Sequence, residues 1–220
     1  MSKIHKPGRK VILRIATILI VVGVLVPLYG LIFSGKDPSP NIRKPYGVGE
    51  PMPSAAKPTA SSIANYTVSA GLPKYIAIPA IGVQQTRIKP LGLIKNRTIA
   101  TPDNLYDTGW YNGSAKPGES GAMFIYGHVS TWKARGVFYD LKKLKPGDRI
   151  TVERGDGKLF TYEVNRTTVY PAGKVDMAAV LTPAEPGKPG LNLMTCSGTL
   201  LKNANDFTER LVVFTSLIKK

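Results

Sequence analysis

The chain has 220 residues, 43% of them apolar and 20% charged, with a single cysteine and a formal net charge of +16. Less a membrane segment and a tail, that length leaves room for one domain with a proper core, and a lone cysteine excludes an internal disulfide framework. The basic excess runs along the whole chain, and without an aromatic-interleaved basic motif, a zinc finger or a helix-turn-helix pattern it does not mark a nucleic-acid partner.

In chain order, residues 1–14 carry Lys3, Lys6, Arg9, Lys10 and Arg14 and form a basic tail. Residues 15–33 then run without a charge, close to the ~20 apolar residues that cross a bilayer core as a helix. Basic residues before a span hold the N-terminus in the cytoplasm and send the remainder outside. A cleaved signal peptide has the same charged start, but the bulky sequence Leu28-Tyr29-Gly30-Leu31-Ile32-Phe33 offers no Ala-x-Ala type site, which favours an uncleaved anchor. The expectation is a single-pass protein of the cell membrane with its remainder extracellular. Residues 34–71 are rich in proline and serine with little periodicity, and read as a semi-extended spacer.

From residue 72 onward, short β-rich runs separated by turn signals predict a mostly β domain. Tyr75-Ile76-Ala77-Ile78 is a first strand, and residues 85–91 are a second after the Ile81-Gly82 turn. Residues 121–126 form an apolar run entering Gly127-His128. Residues 149–153 and 158–170 form a hairpin about Gly155-Asp156-Gly157. The last strands are 191–195 and 211–217, and only 137–144 and 175–181 suggest helix. Seven or eight strands with two short helices predict a closed β-barrel or a sandwich, and closure removes aggregation-prone edges.

The chemistry-bearing residues are few. Cys196 ends the apolar run Leu191-Asn192-Leu193-Met194-Thr195. It is either a buried small hydrophobe or a reactive thiol outside the membrane. His5 lies in the basic tail, so His128 alone shares a compartment with Cys196. A neighbouring imidazolium favours the thiolate, and the same ring can then protonate a leaving group. Arg210 stands before the last β run, where a permanent cation can stabilise an oxyanion. The competing reading of Arg210 is an edge charge paired with Glu209 or Asp206. No metal site is credible from one cysteine and one extracytoplasmic histidine, and no cofactor is implied.

These residues resemble the sortases, cysteine transpeptidases of Gram-positive-type cell surfaces. Leu193-Met194-Thr195-Cys196 is similar to the end of their Thr-Leu-x-Thr-Cys strand, with Asn192 where threonine is usual. Gly127-His128 and Glu209-Arg210-Leu211 are similar to the other two signature elements, and Ile78-Pro79-Ala80-Ile81-Gly82, Gly109-Trp110-Tyr111, Gly118-Glu119-Ser120-Gly121 and Leu144-Lys145-Pro146-Gly147-Asp148 extend the likeness over most of residues 76–217. The single-domain sortases lettered F, or their neighbours D and E, look nearest. The resemblance implies a closed sortase-type barrel over 72–220 with catalytic Cys196, His128 and Arg210 and with Thr195 as a substrate-binding candidate. It implies a thioester acyl-enzyme formed on a Leu-Pro-x-Thr-Gly-like signal of a secreted protein, resolved by an amine of a peptidoglycan precursor or a pilin lysine. Asn192 is expected to alter the floor of the substrate groove. Three other readings stand beside it. An L,D-transpeptidase lacks its Ser-x-Gly-Cys pattern here; a non-catalytic wall-binding or scaffold domain would merely pack Cys196; a peptidase of the same fold would let water resolve the thioester.

Overall fold

A computed structural model describes residues 41–42, 52–94, 97–201 and 206–220. The basic tail and the anchor expected over 15–33 lie outside the described residues. Among the described residues no helix is long and apolar enough to cross a membrane.

Eleven strands are described: β1 (Asn41–Ile42), β2 (Pro73–Ile78), β3 (Val83–Leu91), β4 (Leu93–Ile94), β5 (Thr98–Ile99), β6 (Thr108–Tyr111), β7 (Ala122–Gly127), β8 (Arg149–Arg154), β9 (Leu159–Pro171), β10 (Gly190–Leu201) and β11 (Asp206–Lys219). Eight of them close into a barrel in the order β10-β11-β9-β8-β2-β3-β6-β7, and β1, β5 and β4 form a small separate sheet. The expected mostly β barrel of seven or eight strands is therefore observed. Within it β7 runs parallel to β10, and β3 parallel to β6; the other described ladders of the barrel are antiparallel.

The alternation of β10 explains why the barrel is filled and also covered on one outer side. Leu191 and Leu193 point inward, with Ile125 and Met123 of β7 and Leu211 and Val213 of β11, into a core that also takes Ile76, Ile150, Phe160 and Tyr162. Residues one step along point outward. Met194 and Cys196 join Phe124, Tyr126, Val212 and Phe214 in a second apolar cluster. That cluster is roofed by α2 (Met177–Val180), which contributes Met177 and Val180. Asp176 caps α2 by accepting from the Ala179 N–H at 3.0 Å, which satisfies one of the orphan amides of a helix start. The two helical stretches expected from sequence appear as a 3-10 turn at Leu141–Lys143 and as α2.

Two features depart from the sequence reading. Strand β6 is a full member of the barrel; it is only four residues long and holds Gly109, whose place a Cβ would contest with the Leu91 side chain at 2.1 Å. Strand β10 does not end at Thr195 but runs on to Leu201, pairing Leu200 with Phe207 and Leu201 with Asp206. Ser197-Gly198-Thr199 forms a bulge in it, with Gly198 at φ +77, a conformation that glycine supplies without strain. The spacer region also holds structure. Helix α1 (Ala60–Ala64) is capped by Thr59, the Tyr66 hydroxyl donates to the Ile88 carbonyl at 2.6 Å, and Ser54 bridges to Asn104.

Candidate active site

Three adjacent strands place the sequence-predicted residues in one row. In the ladder between β10 and β11, Cys196 lies directly opposite Arg210. In the parallel ladder between β7 and β10, Met194 lies opposite Tyr126, so two residues further along both chains Cys196 comes level with His128. Neighbouring strands stand roughly 4.8 Å apart, so the thiol is flanked by the histidine on one side and the arginine on the other. Residue parity puts all three on the outer face of the barrel, with Tyr126. Each is nearly enclosed: Cys196 and His128 are 2% exposed and Arg210 is 4% exposed.

Each side chain is held by a different device. His128 Nε2 lies 2.7 Å from the Pro102 carbonyl. A carbonyl only accepts, so Nε2 carries the ring proton and the basic nitrogen of the neutral imidazole is Nδ1. Gly127 sets the histidine's entry into this position, since a Cβ there would meet the Phe138 ring at 2.5 Å. The Phe138 N–H in turn donates to the His128 carbonyl at 2.9 Å. Arg210 donates through one terminal nitrogen to the Phe207 and Glu209 carbonyls at 3.0 and 2.9 Å, and through the other to Asp206 Oδ1 at 2.7 Å. Of the two carboxylates weighed as partners from sequence, Asp206 makes the pair, and it is buried with the arginine.

Thr195 points the other way along the strand. Its hydroxyl donates to the Gly127 carbonyl at 2.7 Å and it is 2% exposed. That bond ties β10 to β7 at the glycine before His128, so the geometry makes Thr195 a strut between the strands that carry thiol and imidazole. Asn192 lies beneath α2, fully buried, and its amide N–H groups donate to the Val180 and Thr182 carbonyls at 2.7 and 2.9 Å. It therefore holds the β9–β10 connection against the outer face, where the sequence suggested a role in the floor of a groove.

Burial governs the electrostatics. Desolvation pushes the Cys196 thiol up to about 11, against the opposing pull of the Arg210 charge and of its hydrogen bond with Tyr126. Desolvation likewise holds His128 below its ordinary value, although its bond to Pro102 and the charge of Asp103 oppose this. Both shifts favour the uncharged form of the group. The three groups thus offer a thiol, a neutral-favoured imidazole and a permanent cation in nearly enclosed surroundings, where low polarity strengthens any charge that forms.

Sequence reasoning missed Tyr126 and the Pro102 carbonyl. Tyr126 Oη lies 3.1 Å from Cys196 Sγ, and its ring meets the His128 ring edge-on at 5.8 Å and 87°. The signal for Tyr126 was present, a hydroxyl-bearing aromatic two residues before the histidine on a strand, hence on the same face. A backbone carbonyl from a loop leaves no trace in sequence. That loop is flanked by the spacer: the Ser54 N–H donates to the Asp103 carbonyl and the Leu105 N–H to the Ser54 carbonyl, at 2.8 and 2.9 Å.

An eight-stranded barrel that lines up thiol, imidazole and guanidinium across three strands of one outer face defines a protein equipped for thiol-based acyl chemistry. The model of the sortase domain matches residues 76–218, and the chain belongs to the sortase family of cysteine transpeptidases. The fold is shared with solved structures. The pilus-related sortase C of Group B Streptococcus is 22% identical with a TM-score of 0.54, over 81% of this chain and 79% of that one. Sortase A from Corynebacterium diphtheriae is 23% identical with a TM-score of 0.52, over 76% and 72%. The Streptococcus pneumoniae sortase C is 22% identical with a TM-score of 0.51, over 76% of this chain and 76% of that one. No curated relative matches the chain.

Proposed function

We propose that the protein is a membrane-anchored sortase that cleaves a Leu-Pro-x-Thr-Gly-like signal and joins the threonine carboxyl to an amine. The observation that carries this reading is the placement of Cys196 between the His128 end of β7 and Arg210 of β11. In the forward half-reaction His128 Nδ1 accepts the Cys196 proton, and the thiolate adds to the threonine carbonyl. Negative charge passes from sulfur to the carbonyl oxygen, where Arg210 offers guanidinium N–H donors. Collapse breaks the Thr–Gly bond as the imidazolium returns its proton to the leaving amine, leaving a thioester. An amine of a peptidoglycan precursor or a pilin lysine then adds to that thioester, His128 removes its proton, and the thiol is restored. The uncharged run 15–33 behind a basic tail supports an anchor with the catalytic domain outside the cell, where secreted substrates and lipid-linked precursors meet.

One observation favours a second reading, a non-catalytic wall-binding domain: Cys196 is buried in an apolar cluster, which favours the neutral thiol. The two separate in one experiment. The full chain in mild detergent is incubated with a panel of Leu-Pro-x-Thr-Gly peptides, with and without triglycine, and analysed by mass spectrometry. The proposal requires a mass adduct on Cys196 and a triglycine-ligated product; an unmodified Cys196 across the panel sinks it, and an adduct released only as free acid establishes hydrolysis in its place. Protease added to intact cells tests the topology, with digestion of residues 72–220 expected.

A further inference from the structure

Around Cys196 the outer face is hydrocarbon apart from a few groups. Cys196 belongs to an apolar cluster with Met194, Phe124, Phe207, Val212 and Phe214 and is 2% exposed, and burial of this kind excludes the water that would otherwise solvate a sulfur anion. A thiolate made here must be stabilised by protein groups already in position. Arg210 supplies charge from β11, but three of its N–H groups are bound to Phe207, Glu209 and Asp206. On the other side stands a tyrosine whose hydroxyl already touches the sulfur.

We propose that Tyr126 is a catalytic residue of this site, its phenol hydroxyl donating to Cys196 Sγ and carrying part of the thiolate's charge until the substrate carbonyl is attacked. The inference deepens the sortase reading above and rests on it. Three features of geometry support it. Tyr126 Oη is 3.1 Å from Sγ, with both residues nearly solvent-free at 1% and 2% exposure. Tyr126 lies on the same strand face as His128, two residues before it, and its ring edge stands against the imidazole. It therefore reaches the sulfur from the β7 side, opposite Arg210.

The chemistry makes this contact differential. A neutral thiol is a weak donor and a weak acceptor, so the contact does little for the resting state. A hydrogen bond from a phenol to a thiolate is charge-assisted and far stronger, and only interactions that strengthen toward the transition state raise the rate of the chemical step. The proton inventory is simple. The Sγ proton moves to His128 Nδ1, while Tyr126 keeps its own proton throughout. As the S–C bond forms, charge leaves sulfur for the carbonyl oxygen and the Tyr126 bond weakens again.

Because the chain has one cysteine, alkylation reports on Sγ alone and needs no sorting peptide. Iodoacetamide alkylation of the full chain in mild detergent is followed from pH 6 to 11 for wild type, Tyr126→Phe and Tyr126→Gln. The proposal expects the phenylalanine variant's rate profile to move to higher pH, with kcat for a responsive sorting peptide lowered about 10-fold or more, the scale of one hydrogen bond to a charged group, and KM changed little. The glutamine variant, which restores an N–H donor, is expected to lie between. Unchanged alkylation and kcat in Tyr126→Phe overturn the proposal, as does a rise in KM alone. A folded melting transition for either variant keeps the comparison valid: where phenylalanine does not fold, glutamine against wild type reads the same shift. A shifted alkylation profile with no peptide adduct in wild type refutes the substrate reading and leaves Tyr126 in place; a normal adduct with no shift does the reverse.

Discussion

The two faces of β10 answer to different chemistry. On the inner face, Leu191 and Leu193 are fully buried in the hydrocarbon of the barrel. On the outer face, Asn192 and Cys196 are almost as deeply buried, yet each has polar partners from another element. The inner face needs only volume and shape. The outer face buries a thiol, an imidazole and a guanidinium at one level of neighbouring chain segments, an arrangement helped by burial favouring the neutral thiol and imidazole and by the pairing of the one permanent charge with Asp206. The lesson is that depth alone does not separate core from site; the distinguishing mark is polar groups with specific partners.

Removing the sulfur separates the two faces most strongly. Cys196→Ala is expected to abolish peptide adduct and product altogether while the protein still unfolds cooperatively, as read by mass spectrometry and circular dichroism. The converse change, Leu193→Ala on the inner face, is expected to cost ~2–5 kcal/mol of stability in denaturant titration, with activity per folded molecule retained. Loss of activity in the folded Leu193 variant would show that the faces are coupled. Next in size is the guanidinium: Arg210→Ala is expected to lower kcat/KM by about 10²-fold, on the scale of one oxyanion donor, and a fully active Arg210→Lys would rule out a role for the planar fork.

Smaller effects sharpen the boundary between the faces. Thr195→Val leaves the Gly127 carbonyl without its hydroxyl donor and is expected to cost about 1–3 kcal/mol, with a lesser loss of activity through displacement of His128. The pH dependence of stability should show both buried titratable groups. His128 is held below its ordinary value, so its contribution is present above about 6.5 and is lost as pH falls through its lower folded-state value. Cys196 is pushed up from 9.0 to about 11, so its contribution is present below 9.0 and is lost as pH rises toward 11. Against wild type, His128→Gln should flatten the acid limb and Cys196→Ser the alkaline one; parallel curves would show that neither group titrates differently on folding.

Much of the barrel could be read directly from residue order. Strand β7, the β8–β9 hairpin and the apolar start of β10 announce themselves by β-branched and aromatic runs between turn residues. Strand β6 did not, because four residues with a glycine carry too little pattern, and its pairing to β3 and β7 is made across the chain. The three candidate residues stood out in the sequence, two by rarity and one by position: one cysteine, one histidine beyond the basic tail, and an arginine just before the last apolar run. Their supports did not. Asp206, one of two carboxylates close in sequence, became the partner of Arg210 only through the path of β11.

By itself, the sequence determined the inventory and the alternation: which side chains can do thiol chemistry, and which strands bury one face or both. Those follow from residue type and a period of two, which are local properties. Register came from the closed fold. It set Cys196 opposite Arg210 and level with His128, brought Pro102 to the imidazole, and aimed Tyr126 at the sulfur. Register is long-range, fixed by how eight strands close on one another, and a slip of one residue would have turned the nucleophile into the barrel.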